Sequence, residues 1–199
     1  MEKLKSSLTN MLSVLTVISV VAGAVLAYVN SVTAPQIEKI NQENLAAGIK
    51  AVMGNEDIQV SEPQEIEEFV VYDISVDDAP LGKAVVSTSN AFGGSLKVLV
   101  GFSPCGEILG YTVLEHAETP GLGAKADNWF KADSTKKSYI IGKNPGKCNF
   151  TVSKDGGEID AITASTITSR AFLLAIKNAY DSVIACGDAC SGATTQLNN

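Results

Sequence analysis

Histidine is nearly missing from this chain: His116 is the only one in 199 residues. Cysteine is sparse as well, with four in all (Cys105, Cys148, Cys186 and Cys190) and no pair spaced C-x-x-C. A structural zinc site needs closely spaced Cys and His ligands, so no metal centre of that kind is expected. No Ser-His-Asp set and no paired carboxylates stand out, which leaves hydrolysis without visible catalytic residues. Basic residues are outnumbered, 15 Lys and Arg against 22 Asp and Glu for a formal net charge of −7, and they are scattered. Nucleic acid and anionic lipid head groups both select clustered positive charge, so no nucleic-acid partner is expected. No repeat of domain size is visible.

What the sequence does have is one long uncharged run. From Ser6 to Gln36 there is no Asp, Glu, Lys or Arg. Its core, Met11 to Val29, is about 19 residues, which at 1.5 Å per residue is close to the hydrocarbon thickness of a bilayer. A signal-peptide core is shorter, roughly 7–15 residues, so a retained single-pass anchor is expected rather than a cleaved signal. Lys3 and Lys5 precede the run, and the positive-inside rule then leaves the N-terminus in the cytoplasm. In a bacterium the remainder would be periplasmic or otherwise extracytoplasmic, held at the inner (cytoplasmic) membrane. Export would permit disulfides, and Cys186 and Cys190 are one helical turn apart; a bridge and free thiols both remain open for them.

Beyond Pro35, apolar residues at Ile37, Ile40, Leu45, Ile49 and Val52 recur with roughly helical spacing, and Gly54 with Asn55 marks a stop, so the segment reads as a stalk helix continuing from the anchor. The acidic, proline-interrupted stretch 56–68 reads as loop. Four β-type runs follow: 69–76, 83–89, 96–103 and 108–116, the last two joined by Ser103-Pro104-Cys105-Gly106-Glu107 as a hairpin. Residues 147–154 and 158–163, split by Asp155-Gly156-Gly157, predict a second hairpin. An amphipathic helix is expected over 169–185, with Gly187 just past its end. The reading is α+β: an N-terminal transmembrane helix and stalk, then an antiparallel sheet covered by helices. The expected divisions are 1–33 for the cytoplasmic N-terminus and anchor, 34–68 for stalk and linker, 69–186 for the folded domain and 187–199 for a flexible tail.

The stretch Ile159 to Ile176 carries the chemistry. A strand-like run ends in a turn rich in hydroxyls (Thr163, Ser165, Thr166, Thr168, Ser169), and a helix begins at once. A helix start exposes unpaired N–H groups and positive partial charge, so it attracts phosphate. Arg170 in the first turn opposes the macrodipole unless an anion lies nearby. Taken alone, the same residues also suit an ordinary Ser/Thr helix cap beside a solvated arginine.

Asp160-Ala-Ile-Thr163-Ala-Ser-Thr166-Ile-Thr168 resembles the flavinylation motif D-x-x-[S/T]-G-A-T-x-[S/T] of FMN-binding domains, with Ala164 in place of Gly and Ser165 in place of Ala. Those domains occur in the G subunit of the Rnf ion-translocating complex and in the C subunit of the sodium-pumping quinone reductase. His116 to Lys125 is similar to the E-T-P-G-L-G loop of the same domains, and Ala91-Phe92-Gly93-Gly94 to their G-[YF]-G-G opening. The resemblance covers roughly 70–185, and the E-T-P-G-L-G loop with the short length favours the Rnf G subunit. It implies covalent FMN, joined by a phosphoester to Thr166 by a separate flavin transferase that uses FAD. It also implies that Thr163, Ser165, Ile167 and Thr168 hold the phosphate and that Glu118, Thr119, Leu122 and Gly123 line the ring.

The function so implied is electron transfer within a membrane complex that couples ferredoxin/NAD electron flow to Na⁺ or H⁺ translocation, with other integral-membrane subunits as partners. As an isolated chain it need not be an enzyme; as a subunit it belongs to a translocase. The alternative from another class is a membrane-anchored binding or sensor module without covalent flavin, which the two motif departures motivate. A third reading is an envelope structural protein built on the stalk. The tail Asp188-Ala-Cys-Ser-Gly-Ala-Thr194 matches the motif more closely by letter, yet only five residues follow Thr194. They are too few for the helix whose start would hold the phosphate, so Thr166 is favoured. His116 reads as a strand-end imidazole and Trp129 as a packing residue.

Overall fold

The computed structural model describes residues 8–55, 57–66, 68–77 and 79–185. The Cys186–Cys190 question and the Thr194 motif lie outside the described residues. Two compact units divide between Glu43 and Asn44. The first helix, α1 (Leu8–Met53), is long and apolar enough in its N-terminal part to cross a membrane. Its apolar side chains from Met11 to Val32 are exposed, as a lipid-facing helix requires. The stalk helix expected to continue from the anchor does so: Pro35 lies inside one unbroken helix. The helix ends at Gly54, whose φ of 68° is the left-handed stop conformation and whose N–H donates to Lys50 O at 3.0 Å.

The second unit is an α+β domain around one antiparallel sheet, in line with the sequence-based expectation. Its strands are β1 (Gln59–Val60), β2 (Gln64–Ile66), β3 (Phe69–Val76), β4 (Ala79–Asn90), β5 (Ser95–Phe102) and β6 (Ile108–His116). They run in the order β1-β3-β4-β5-β6, with β2 also pairing along β3. The stretch 56–68 was expected to be loop, but it contributes the two short edge strands β1 and β2. Polar side chains dominate those strands, so neither gives the apolar alternation that marks a strand in sequence.

Both faces of the sheet are covered. Alternation along β4 and β5 sends Val85, Val98 and Val100 to one face and Ala84, Val86 and Leu99 to the other. The first face packs against α3 (Thr166–Ala185) through Phe172, Leu173, Ile176, Ala179 and Val183. Phe172 stacks on Phe130, with centroids 4.7 Å apart, and meets Tyr111 edge-on at 4.9 Å. The second face takes Ile49, Val52 and Met53, the last turns of α1. Glycine sets how closely they approach: a Cβ at Gly101 would lie 2.5 Å from Val52 Cγ1, and one at Gly110 2.6 Å from Val52 O. A bare strand backbone is what lets the helix end sit there.

The predicted second hairpin does not form. Between β6 and α3 the chain holds two 3-10 turns (Gly123–Lys125 and Ser153–Asp155), the single-turn helix α2 (Ala126–Trp129) and one isolated parallel bridge, Val152 to Ile159. Phe150, Val152, Ile159 and Ile162 are buried in the core beneath α3. Phe150 and Val152 flank a polar residue as strand residues do, but all four serve as pegs from an irregular segment. The turn's own hydrogen bonds, Ser153 N to Ile159 O at 2.7 Å and Gly157 N to Val152 O at 3.1 Å, replace a ladder.

Candidate functional site

α3 begins where the chain leaves a tight turn. Ser165 N donates to Ile162 O at 3.0 Å, and the third residue of that turn, Ala164, has a φ of 62°. Type II turns reserve this position for glycine, because a Cβ there costs about 1–2 kcal/mol. The loss of glycine's freedom at Ala164, visible in the sequence, is therefore a real strain. Ser169 Oγ closes the corner: it accepts from Ile162 N at 2.9 Å and donates to Ser165 O at 2.9 Å. The first helical amide bond joins Ser169 N to Ser165 O. The amides of Thr166, Ile167 and Thr168 thus stand at the helix start, where intrahelical acceptors run out. No acidic residue lies in that first turn.

Opposite it stands the loop that follows β6. Glu118 is only 7% exposed, and both its oxygens are engaged: Oε2 accepts from Thr168 Oγ1 at 2.8 Å, and Oε1 from Gly93 N at 2.7 Å. This carboxylate ties three separate segments together. Gly123 passes close against it, for a Cβ there would collide with Glu118 Oε2 and come within 2.9 Å of Thr168 Oγ1. Between loop and helix start lies a cleft of about 330 Å³, lined by Phe92, Glu118, Thr119, Leu122, Gly123, Ala164, Ser165, Thr166, Ile167 and Thr168.

The eight residues Glu118, Thr119, Leu122, Gly123, Ser165, Thr166, Ile167 and Thr168 therefore share one cleft, although more than forty positions separate the two groups in sequence. Thr163, also named from the sequence, does not line it. Nor does His116, which ends β6 and accepts from Glu118 N at 3.3 Å through Nδ1. Trp129 is half-buried, with Nε1 donating to Asp160 O at 3.2 Å. Arg170 does have an anion beside it: Asp155 takes its Nε and Nη2, each at 2.6 Å. That bidentate hydrogen bonding holds the Asp155 carboxyl below the usual range and raises Arg170 further. The residue before Asp155 was not foreseen: Lys154 Nζ donates to Thr166 Oγ1 at 3.2 Å. No linear pattern marks it, since a 3-10 turn twelve positions upstream brings it there.

The cleft suits a flat, phosphorylated ligand. Its volume lies within the roughly 300–1,000 Å³ typical of small-molecule sites. The helix start offers amides for a phosphate, and the Lys154 ammonium is hydrogen-bonded to Thr166 Oγ1 beside it. The lining also includes exposed apolar side chains, with Phe92 70%, Ile167 54% and Leu122 41% exposed, for the faces of a ring system. Fold and cleft together define a flavin-mononucleotide-binding domain, and residues 92–181 match the FMN-binding domain family. The G subunit of a Na(+)-translocating ferredoxin:NAD(+) oxidoreductase complex from Acetobacterium woodii is 36% identical over 179 residues, 79% of this chain and 83% of that protein. The G subunit of an ion-translocating oxidoreductase complex from Shewanella baltica is 42% identical over 97 residues, 45% of this chain and 42% of its own length. Its counterpart in Escherichia coli is 38% identical over 117 residues, 56% and 55% respectively. The chain thus spans about half the length of these last two relatives. It belongs to the family of G subunits of ion-translocating oxidoreductase complexes.

Proposed function

We propose that this chain is an electron-transfer subunit carrying FMN in a phosphoester bond to Thr166, within a membrane complex that couples ferredoxin/NAD electron flow to Na⁺ or H⁺ translocation. The observation that carries the reading is the position of Thr166: it is the first residue of α3, half-buried, and it lines the cleft opposite Glu118. Amides of Thr166, Ile167 and Thr168 with Ser165 would hold the phosphate, Thr163 supporting the turn, while Glu118, Thr119, Leu122 and Gly123 would flank the ring. Bound there, the flavin supplies reversible one- and two-electron chemistry. The protein's part is to fix its orientation, shield it on the apolar side and set the local charge. The ion specificity lies with the complex, because the apolar span holds no charged side chain for an ion path.

We further propose a bacterial inner-membrane location with a single span, a cytoplasmic N-terminus and an extracytoplasmic domain. The divisions would be anchor 1–33, stalk and linker 34–68 with its last turns seated on the sheet, FMN-binding domain 69–186 and tail 187–199. The partners are other integral-membrane subunits and, during maturation, a flavin transferase. Peptide mass spectrometry on protein matured with a transferase tests the reading. FMN less water on the Thr166 peptide, absent from Thr166→Ala, is the expected result. The same mass on the Thr194 peptide, or none at all with an active transferase, overturns the site.

A further inference from the structure

We propose that Lys154 is a catalytic residue of flavin attachment, and that the Asp155–Arg170 pair is the device that positions it. The inference rests on the reading of Thr166 as the acceptor. Lys154 Nζ already donates to Thr166 Oγ1, the atom that would react, at 3.2 Å. Lys154 itself belongs to an exposed 3-10 turn, Ser153–Asp155, and a free lysine there would lose side-chain entropy to hold one direction. The neighbouring residue restrains it. Asp155 grips Arg170, in the first turn of α3, through two hydrogen bonds of 2.6 Å. The turn is therefore fixed to the same helix start that carries Thr166. Gly156, with a φ of 84°, and Gly157, whose added Cβ would collide with Thr151 O, let the chain leave without moving the turn.

An ammonium group has three protons to donate and no lone pair to receive one. Lys154 cannot take the proton of Thr166, and its hydrogen bond to Oγ1 makes that oxygen no better a nucleophile. Its use lies on the phosphorus side. In attachment, Oγ1 of Thr166 bonds to the flavin-side phosphorus of FAD as the bridging P–O bond to the AMP half breaks. AMP departs with that bridging oxygen and the electron pair of the broken bond. The hydroxyl proton passes to a base that the transferase must supply. Negative charge grows on the non-bridging oxygens of the transferred phosphoryl group while the Oγ1–P bond forms. A cation within hydrogen-bond reach of Oγ1 is within reach of those oxygens too, alongside the helix-start amides. This chain thus contributes the charge stabilisation and the transferase the base.

The test is the rate of flavin attachment to the full-length chain by a flavin transferase with FAD and Mg²⁺, read by intact mass with the Thr166 peptide mapped. Lys154 is exposed, so its replacement leaves the core alone, and a thermal melt confirms the fold of each variant. Lys154→Gln is expected to slow attachment roughly ten- to a hundredfold, the worth of one charged hydrogen bond, with Lys154→Arg within about threefold of wild type. Asp155→Asn is expected to slow the wild type but to add nothing in the Lys154→Gln background, since it acts through Lys154. Unchanged rates for Lys154→Gln, or an arginine variant as slow as the glutamine one, overturn the catalytic assignment. An Asp155→Asn deficit that persists without Lys154 overturns the positioning role. If the wild type itself takes no flavin at Thr166, the reading of the acceptor fails instead, a result the mapped peptide separates from the others.

Discussion

Thr168 and Glu118 stand fifty residues apart in sequence and 2.8 Å apart in the fold, hydroxyl to carboxylate, across the floor of the cleft. The other oxygen of Glu118 receives Gly93 N, so one buried side chain joins the β4–β5 turn, the loop after β6 and the first turn of α3. Removing it leaves two donors without their acceptor. Glu118→Ala is expected to lower the unfolding free energy by about 2 kcal/mol in urea titrations. Glu118→Gln should cost distinctly less, because the Thr168 hydroxyl can turn and accept from the amide. Equal losses for the two variants would mean that packing, not hydrogen bonding, is what Glu118 contributes.

Ala164 gives a prediction of the opposite sign. With φ at 62° it holds a conformation that glycine reaches without strain. Ala164→Gly relieves about 1–2 kcal/mol of strain and gives back part of it as unfolded-state entropy. A net gain of about 0.5–1 kcal/mol is expected, visible as a higher melting temperature. A loss of stability would show that the Ala164 methyl makes a contact worth more than the strain.

Ser87 is fully buried on β4, and its Oγ has no hydrogen-bond partner among the described residues. An unpaired buried hydroxyl costs about 1–3 kcal/mol relative to an apolar group. Ser87→Ala should therefore stabilise the domain by about 1 kcal/mol in the same urea titration. A destabilised variant would point to a buried water that satisfies the hydroxyl.

Gly110→Ala should destabilise by about 1–3 kcal/mol, because the new methyl meets the Val52 carbonyl, a backbone atom that cannot turn aside. Gly121→Ala serves as a contrast. Its Cβ would meet nothing, so any loss there reflects its φ of 80° alone.

Acid should open the turn that holds Lys154. The carboxyl of Asp155 is depressed by Arg170, so the contribution of the pair is complete above the ordinary carboxylate value of about 4. It is lost only as pH falls through the lower folded value. Carbon-detected NMR titration should place the Asp155 midpoint below that of a free aspartate, and Arg170→Gln should return it to the ordinary range. A midpoint unmoved by Arg170→Gln would sink the assignment.

The strands that alternate apolar residues were legible from sequence alone. The bounds expected for β3 and β6, 69–76 and 108–116, are those of the fold, since β-branched and aromatic residues run between clear turn signals there. The amphipathic helix was legible too, but its first turn was not, because Thr166 and Thr168 look like loop residues until Glu118 receives one of them. The false hairpin at 147–163 shows the same limit from the other side. Val152 and Ile159 have strand chemistry, and only the demand for pegs beneath α3 decides that they do not form a ladder. The cleft could be named from two short segments, whereas Lys154 could not, since only a tertiary turn brings an isolated lysine to a threonine.

The seat that Gly101 and Gly110 make for Val52 bears on how this domain can be handled apart from the apolar part of α1. A fragment cut at Phe69 would discard Ile49, Val52 and Met53 and bare Ile74, Val86 and Leu99 to water. Such a surface invites aggregation. A fragment that begins at Asn44 takes its own lid with it. The end of α1 is therefore also the lid of this domain, and a fragment that starts after Met53 would carry a sheet with one side open.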